Sequence, residues 1–266
     1  AFPVAKGLLL CEDESVIGTP FYIMEFVSGR LFKDPHLKHL EPNQRAEIYD
    51  AMVDVLARMH NFVPTDIGLN GYGKEDGFYK RQIATWTKQY TASQTDGPID
   101  SMEKLITWLG DNIPPEGRAS IVHGDFRLDN LILDKGSNRV IAVLDWELST
   151  LGDPIADLAY NCLVYYLPPF FPQVPGFAGI DLPGGVPTEE EYVRRYCQIR
   201  GLNGIDNWNF YTAFSFFRIA AILQGVYKRA LQGNASSDQA KQVGALASMM
   251  ADTGWDLAQQ PRNIRV

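Results

Sequence analysis

"IVHGDFRLDN", residues 121–130, places a histidine, two aspartates, an arginine and an asparagine directly after two β-branched residues. Asp, Asn and Gly are common in loops, so turn chemistry explains each of these positions when it is taken alone. The spacing is more specific. Asp125 follows a short apolar strand and Gly124, and Asn130 comes five residues later, at the start of the next apolar run. Both side chains are therefore predicted to stand at strand ends that face one cleft.

A further carboxylate ends the next apolar run, VIAVLDWE at residues 140–147. A short and nearly continuous apolar run is typical of a strand buried on both faces, and Asp145 closes it. Together with Asp125 and Asn130 it forms a set of oxygen donors that suits Mg²⁺, which proteins hold with one or two groups plus substrate phosphates. Arg127 can neutralise phosphate charge bidentately. The sequence thus contains the groups that phosphoryl transfer requires.

The pattern H-G-D-x-x-x-x-N, followed about fifteen residues later by D-W-E and then by GDPIADLAY, resembles the aminoglycoside phosphotransferase and choline kinase family. From about Leu8 onward the sequence is similar to the phosphotransferase domain of acyl-CoA dehydrogenase family members ten and eleven and of bacterial relatives. The resemblance implies an α+β, protein-kinase-like fold, with ATP and Mg²⁺ as cofactors. It also implies phosphorylation of a small-molecule hydroxyl, with a hydroxyacyl compound expected as acceptor rather than an aminoglycoside.

The resemblance also implies roles for residues in the motif. Asp125 would accept or orient the proton of the attacking hydroxyl, and Arg127 would supply a cation near the γ-phosphate. Asn130 and Asp145 would bind the Mg²⁺ that bridges the ATP phosphates. Glu147 would help to hold a second Mg²⁺ or bind substrate.

Two further groups are expected to support or flank this site. His123 has no second histidine close in sequence, so a structural hydrogen bond to the loop backbone is favoured over metal binding. By resemblance, Asp157 is the buried acid that braces the catalytic loop through its backbone amides. The segment YIMEFV resembles the strand that leads into the hinge, where Glu25, Phe26 and Val27 would meet adenine.

The acceptor pocket is implied to lie among the C-terminal helices, although the aromatic run at residues 208–221 is by default a core segment. This run and the segment after Asp157 supply the candidates for substrate contact. These candidates are Tyr165, Tyr166, Trp208, Tyr211, Phe214 and Arg218, together with the Pro- and Gly-rich loop at residues 168–188.

Apolar periodicity and turn residues outline the elements along the chain. A hairpin is predicted from strands at residues 7–11 and 21–27, and further short strands at 121–122, 131–133 and 140–144. Helices are predicted within residues 41–62, 77–94, 100–113 and 155–167, and three more are predicted to begin near Thr188, Trp208 and Ser237.

The resemblance divides these elements between two lobes. Residues 1–29 are expected to be the last strands of the N-lobe and the hinge, and residues 30–266 the helical C-lobe with the catalytic and metal site. A strand-associated glycine loop and the strand lysine of a kinase N-lobe cannot be placed, since Lys6 lies too close to the hinge hairpin. The N-lobe is therefore expected to be largely missing, and this chain by itself to bind ATP weakly.

Composition narrows the class of partner. The net charge of −8 and the pI near 5.0 argue against a nucleic-acid binder, which usually carries a basic face. An apolar run long enough to cross a membrane is not found, and three widely spaced cysteines fit a reducing compartment. An intracellular, cytoplasmic protein with a small-molecule partner is expected.

Two other classes stay open at this point. The first is a pseudokinase, a domain that binds or scaffolds without catalysis. The second is a metal-dependent hydrolase that uses the H-x-D pair, which the scattering of the other histidines disfavours. His36 and His39 do have the helical spacing of a metal-ligand pair, but they lie in a polar stretch flanked by proline.

Overall fold

An antiparallel hairpin begins the chain in the computed structural model, which describes residues 2–171, 174–233, 242 and 246–266. Strand β1 (Gly7–Cys11) pairs with β2 (Phe21–Met24), as the sequence predicts, although the second strand ends at Met24 and not at residue 27. Side chains on both strands are exposed, with Leu10 at 67% and Tyr22 at 66%. Apolar side chains of the hairpin are thus exposed to solvent, and an exposed apolar patch usually marks an interaction site.

Three helices follow: α1 (Pro42–Asn61), α2 (Phe78–Ser93) and α3 (Asp100–Asp111). Pro42 stands in the first turn of α1, where its missing N–H costs no hydrogen bond. The Gln44 side chain accepts the amide of Glu41 at 3.0 Å, which satisfies a donor at the helix start. The apolar stripe of α1 then faces the core, as its helical spacing predicts.

Two small antiparallel pairs occupy the middle of the chain. Strand β3 (Ser120–Val122) pairs with β6 (Thr150–Gly152), and β4 (Leu131–Leu133) pairs with β5 (Val140–Val143). The sequence predicts three of these strands, but it gives no signal for β6, which is three residues long. In the second pair Leu131 lies opposite Val143, so the start of β4 and the end of β5 meet at one edge.

The C-terminal part consists of α4 (Pro154–Asn161), α5 (Glu189–Arg200), α6 (Trp208–Leu231) and α7 (Ala247–Ala258), with a two-residue pair of β7 (Gly204–Ile205) and β8 (Ile264–Arg265). Helices α5 and α6 begin where the sequence predicts. The helix start predicted near Ser237 lies outside the described residues. Within the described residues, no helix is both long enough and apolar enough to span a lipid bilayer.

The first half of α6 forms the centre of the aromatic core. The Tyr79 ring of α2 is fully buried and packs edge-on against Phe210 and Phe214 at centroid distances of 5.0 and 5.1 Å, with Tyr211 at 5.8 Å. Trp208 is also fully buried, and its indole N–H donates to Glu189 at 3.0 Å. The residues at the start of α6 therefore belong to the core.

Candidate active site

A carboxylate on α4 fixes the loop at residues 123–130. Asp157 accepts the backbone N–H of His123 and that of Gly124, the latter at 2.8 Å. The same carboxylate accepts a longer hydrogen bond of 3.4 Å from Nε2 of His60 on α1. One buried side chain thus connects the loop to two helices. Its bonds to the two loop amides are those that the resemblance implies for Asp157, whereas its contact with His60 was not predicted.

Electrostatics keep this carboxylate ionised. Burial alone would raise the pKa of Asp157, but hydrogen bonds from His60 and the Gly124 amide hold that pKa below its usual value. Burial lowers the pKa of His60, so its imidazole is neutral. Its Nδ1 then accepts from the Tyr196 hydroxyl at 2.7 Å. The result is a buried charge surrounded by donors, which is the condition under which such a charge is tolerated.

His123 joins the loop to the end of β5. Its Nε2 lies 2.8 Å from the carbonyl oxygen of Leu144, and its Nδ1 lies 3.2 Å from the backbone nitrogen of Asp125. A carbonyl can only accept and an amide N–H can only donate, so the ring carries its proton on Nε2. Both ring nitrogens are used in structural hydrogen bonds.

Gly124 explains the middle position of the H-G-D motif. Its φ of +85° lies in the left-handed region that glycine adopts without steric cost. A β-carbon at this position would stand 2.7 Å from the carbonyl oxygen of Leu148, a backbone atom that cannot move aside easily. Glycine therefore permits the turn that directs Asp125 away from β3.

Asn130 and Asp125 are in direct contact. The amide nitrogen of Asn130 donates to the backbone oxygen of Asp125 at 2.8 Å and to its carboxylate at 3.1 Å. The Leu144 N–H in turn donates to the Asn130 carbonyl at 2.8 Å. Asp145 is the next residue, so the strand pairing brings all three predicted groups to one edge.

Asp145 has an unusual backbone. Its φ and ψ of +65° and +59° are left-handed, which costs a non-glycine residue about 1 kcal/mol. Strained conformations of this kind cluster at functional sites. The side chain is exposed, and none of the hydrogen bonds among the described residues involves its carboxylate. The carboxylate is thus available to a ligand.

The donor set fits a hard cation that is completed by a substrate. Asn130 uses its amide nitrogen internally, which leaves its oxygen for a metal, and Asp145 offers a carboxylate. Glu147 lies exposed two residues further, in the turn Trp146–Leu148. Among the described residues, no three His, Cys, Asp or Glu side chains form a metal cluster, so phosphate oxygens or water would have to complete the shell.

Arg127 pairs with the two aspartates of the loop. Its Nε lies 2.9 Å from Asp125, and its Nη2 lies 3.3 Å from Asp129. Burial alone would lower the pKa of Arg127, but the two carboxylates hold that pKa above its usual value. The guanidinium is therefore a permanent cation beside the catalytic position predicted for Asp125.

A cavity of about 530 Å³ opens beside this loop. Asp125, Arg127 and Lys33 contribute charge to its wall, and Tyr165 and Arg218, both predicted from the sequence, line it as well. Most of the remaining wall is apolar. These apolar residues include Met52, Leu163, Val164, Ile219, Ile222, Leu223 and Val226.

Some of the residues predicted for the acceptor site do not line this cavity. Trp208, Tyr211 and Phe214 do not line it, because the core around Tyr79 and Glu189 takes their side chains. Tyr166 also points elsewhere, since its hydroxyl donates to Glu189 at 2.7 Å. The helical run at residues 208–221 contains both core and cavity positions.

Sequence reasoning missed several cavity residues. Tyr160 had a signal, since it lies three residues after Asp157 in the GDPIADLAY motif and so shares its side of α4. Lys33, Met52 and Ile222 had none, because they come from separate segments that only the fold brings together.

The predicted hinge, residues 25–27, follows the hairpin and precedes Arg30, which pairs with Leu133 of β4. The Glu25 amide donates to the Lys6 carbonyl at 2.9 Å, and the Lys6 amide donates to the Glu25 carboxylate at 2.9 Å. Phe26 is 92% exposed. Downstream, Arg30 and Leu133 exchange two backbone hydrogen bonds of 2.7 and 2.8 Å. Residues 25–27 thus connect the hairpin to the strand that follows Asn130.

The histidines that the hydrolase alternative would need are used elsewhere. His36 is buried, with its Nε2 3.0 Å from the Gly176 carbonyl and its Nδ1 2.9 Å from Asp34. His60 and His123 are both used in the hydrogen bonds described above. Among the described residues, His36, His60 and His123 are thus all engaged in hydrogen bonds or ion pairs, which disfavours this alternative.

Comparison with known proteins gives a family. The model of the phosphotransferase enzyme family matches residues 1–192. Mouse acyl-CoA dehydrogenase family member 10 is 55% identical over 96% of this chain, and human acyl-CoA dehydrogenase family member 11 is 44% identical over 97%. The chain spans only 24% and 33% of the length of these two relatives.

Solved structures show the same fold. A proposed aminoglycoside phosphotransferase from Ralstonia eutropha shares 49% identity and a TM-score of 0.92, covering 98% of this chain and 79% of that one. A thermostable mutant of aminoglycoside phosphotransferase APH(4)-Ia, in complex with AMP-PNP and hygromycin B, has a TM-score of 0.63 at 16% identity, covering 97% and 77% of the two chains. A choline/ethanolamine kinase family protein from Mesorhizobium loti has a TM-score of 0.55 at 15% identity, covering 96% and 78%.

Proposed function

Since this chain belongs to the phosphotransferase enzyme family and has its kinase-like fold, we propose that it transfers the γ-phosphate of ATP to a hydroxyl of a small metabolite, with Mg²⁺ as cofactor. One observation carries the proposal: Asp125, Asn130 and Asp145 meet at one edge, beside a cavity that can hold an acceptor. This edge offers a carboxylate for the proton and oxygen atoms for a metal, the two elements on which enzymatic phosphoryl transfer depends.

Each residue of the site has its own role in this reaction. Asp125 accepts or orients the hydroxyl proton, which raises the nucleophilicity of the acceptor oxygen. Asn130 and Asp145 hold Mg²⁺, with Glu147 as a further oxygen donor. When bound, Mg²⁺ neutralises charge that develops on the phosphate oxygens. Arg127 supplies a second positive charge at the same place.

Two residues keep this geometry in place. His123 and Asp157 touch neither acceptor nor nucleotide in this scheme, and they act by positioning the loop through the hydrogen bonds described above. Pre-organised groups of this kind reduce the reorganisation that the reaction requires.

The division into lobes belongs to the same proposal. Residues 1–29 would be the final strands of the nucleotide-covering lobe and the hinge, with adenine against the backbone of Glu25, Phe26 and Val27. Residues 30–266 would be the helical lobe with the catalytic and metal site. The AMP-PNP in the APH(4)-Ia complex supports nucleotide use by this fold.

A hydroxyacyl compound or similar acidic metabolite fits the cavity better than an aminoglycoside does. Apolar side chains form most of the wall, and Arg218 adds a positive charge. A polycationic sugar would need many acidic partners that this wall does not offer among the described residues. The kinship with acyl-CoA dehydrogenase family members points to acyl chemistry as well. An intracellular location remains a prediction from the sequence.

A transfer assay tests the function. The full-length protein is incubated with ATP labelled in its γ-phosphate and a panel of hydroxylated carboxylic acids, acyl thioesters and aminoglycosides. We expect label on a hydroxyacyl-type acceptor, loss of transfer with a chelator, and recovery with Mg²⁺.

Two results would contradict the proposal. Absence of transfer from millimolar ATP to every hydroxyl in the panel would favour a binding domain. Hydrolysis that needs Zn²⁺ or Mn²⁺ and no nucleotide would revive the hydrolase alternative.

A further inference from the structure

Arg218 of α6 lies in the wall of the cavity, between two aromatic rings. Its guanidinium carbon is 4.9 Å from the ring centroid of Tyr160 on α4 and 5.4 Å from that of Trp86 on α2. Faces of aromatic rings attract cations, and two of them fix the plane of the guanidinium. The orientation of this side chain is thus set by three helices.

No protein acceptor is found for this cation in the described part of the chain. The hydrogen bonds and ion pairs of the described residues do not include Arg218, and its buried Nε is without a partner. Two other partly buried arginines do have carboxylate partners: Arg127 has Asp125, and Arg262 has Glu189. The geometry sets Arg218 apart.

The side chain of Arg218 is only partly buried, so water in the cavity can solvate its guanidinium. The two aromatic rings attract the cation but supply neither a hydrogen-bond acceptor nor a negative charge. The missing counter-charge can therefore come from a ligand in the cavity.

The surroundings indicate which ligand. Tyr160 also lies beside Asp125, and burial together with that carboxylate raises the pKa of Tyr160 to about 12, so the tyrosine stays neutral. Beyond Arg218 the helix presents Ile219, Ile222 and Leu223 to the cavity. A molecule in the cavity would thus meet Asp125, a planar cation and an apolar surface.

We propose that Arg218 determines acceptor specificity by binding an oxyanion that the acceptor carries in addition to its hydroxyl. The inference rests on the proposed function and names a class of acceptor: an amphiphile with a hydroxyl, an apolar chain and a carboxylate or phosphate. The rigid guanidinium fork matches a planar carboxylate bidentately, which favours that anion. A phosphate of the nucleotide is the other possible source of negative charge, and the test separates the two.

The test compares acceptors of equal length that carry either a carboxylate or a neutral hydroxyl at one end. Calorimetry measures binding of ω-hydroxycarboxylates from 6-hydroxyhexanoate to 12-hydroxydodecanoate, and of the 1,ω-diols of equal length, to the full-length protein. We expect the carboxylates to bind about 10- to 100-fold more tightly than the diols, the range for one charge-assisted hydrogen-bond partner. The Arg218→Gln variant should lose this preference.

Two further variants separate charge from packing. Arg218→Lys keeps a cation but loses the planar fork, and we expect it to retain part of the preference. Arg229→Gln makes the same change at an exposed position of the same helix and should bind carboxylates as the wild type does. The comparison of carboxylates with diols in the wild type needs no variant, so a folding defect cannot obscure it.

The outcomes decide between the sources of charge. Equal affinity for carboxylates and diols, or a preference that survives Arg218→Gln, overturns the inference. A rise in KM for ATP with an unchanged KM for the acceptor would assign Arg218 to the nucleotide and also overturn it. Charge-selective binding without any phosphoryl transfer would refute the proposed function and leave the role of Arg218 standing.

Discussion

In the loop at residues 123–130, His123 and Asn130 are held by hydrogen bonds to the backbone of Leu144, which follows β5, whereas Arg218, in the wall of the cavity beside the loop, has no acceptor among the described residues. The loop is therefore set before any ligand arrives, because its geometry is determined by the protein. By the inference above, a ligand would complete the wall. Such a division between a fixed site and a ligand-dependent pocket would suit an enzyme whose relatives share one reaction and differ in acceptor.

The two regions also differ in what a sequence reveals. The spacing H-G-D-x-x-x-x-N indicates the loop, since its members are close in the chain and the pairing of Leu131 with Val143 brings Asp145 to them. The cavity wall has no such signal. In the run at residues 208–221, aromatic residues at helical spacing suit both core and pocket. Only the fold shows that Phe210 packs against Tyr79 and that Trp208 donates to Glu189 within the core.

The largest expected effect on stability tests how firmly the loop is fixed. Asp157→Ala would leave two backbone amides and His60 without their acceptor in a buried place. We expect a loss of about 3–5 kcal/mol in the free energy of unfolding, because each buried donor that is left without an acceptor costs about 1–3 kcal/mol. Urea unfolding measures it. Asp157→Asn keeps one acceptor oxygen and should cost less, and a loss below about 1 kcal/mol in the alanine variant would show that the loop is held by other contacts.

A substitution at Gly124 tests the backbone geometry of the same loop. Gly124→Ala would place a methyl group against the Leu148 carbonyl at a positive φ, at a cost of about 1–3 kcal/mol. Thermal unfolding checks this. In the exposed loop before β3, Gly117→Ala meets nothing within 4 Å and should change stability by less than about 0.5 kcal/mol. Equal effects of the two substitutions would contradict the account of the motif.

The pH dependence of the free energy of unfolding tests the N-terminal cap of α4, the helix that carries Asp157. Burial raises the pKa of Asp153, which caps this helix by accepting the Ile155 amide, to about 6. The folded state then binds its proton more tightly than the unfolded state, so the contribution of Asp153 is largest below pH 4 and is lost as pH rises through 6. Its partial exposure limits the effect to about 1–2 kcal/mol.

Asp153→Asn keeps a cap oxygen and removes the titration. Between pH 4 and 7, the wild type should therefore lose about 1–2 kcal/mol relative to this variant, as measured by urea unfolding at each pH. Parallel pH profiles of the two proteins would show that Asp153 has an ordinary pKa.

The smallest expected effect concerns the wall. Val226→Phe would narrow the cavity, and we expect about a tenfold rise in the KM of the acceptor, equivalent to about 1.4 kcal/mol, with little change in the KM of ATP. Steady-state kinetics measure both constants. Val226→Ala enlarges the same place and should shift preference toward longer acceptors. An equal rise in both KM values would mean that this wall does not belong to the acceptor site alone.

The central claim is that Asp125 directs phosphoryl transfer to a hydroxyl. The most direct measurement is the single-turnover rate of γ-phosphate transfer in the full-length protein for the wild type, Asp125→Asn and Asp129→Asn, which remove the same charge four residues apart. Loss of a general base predicts a drop of about 10²–10⁴-fold for Asp125→Asn. We expect a drop of less than about tenfold for Asp129→Asn, whose carboxylate pairs with Arg127 in the cavity wall. Transfer by Asp125→Asn at or near the wild-type rate would contradict the account.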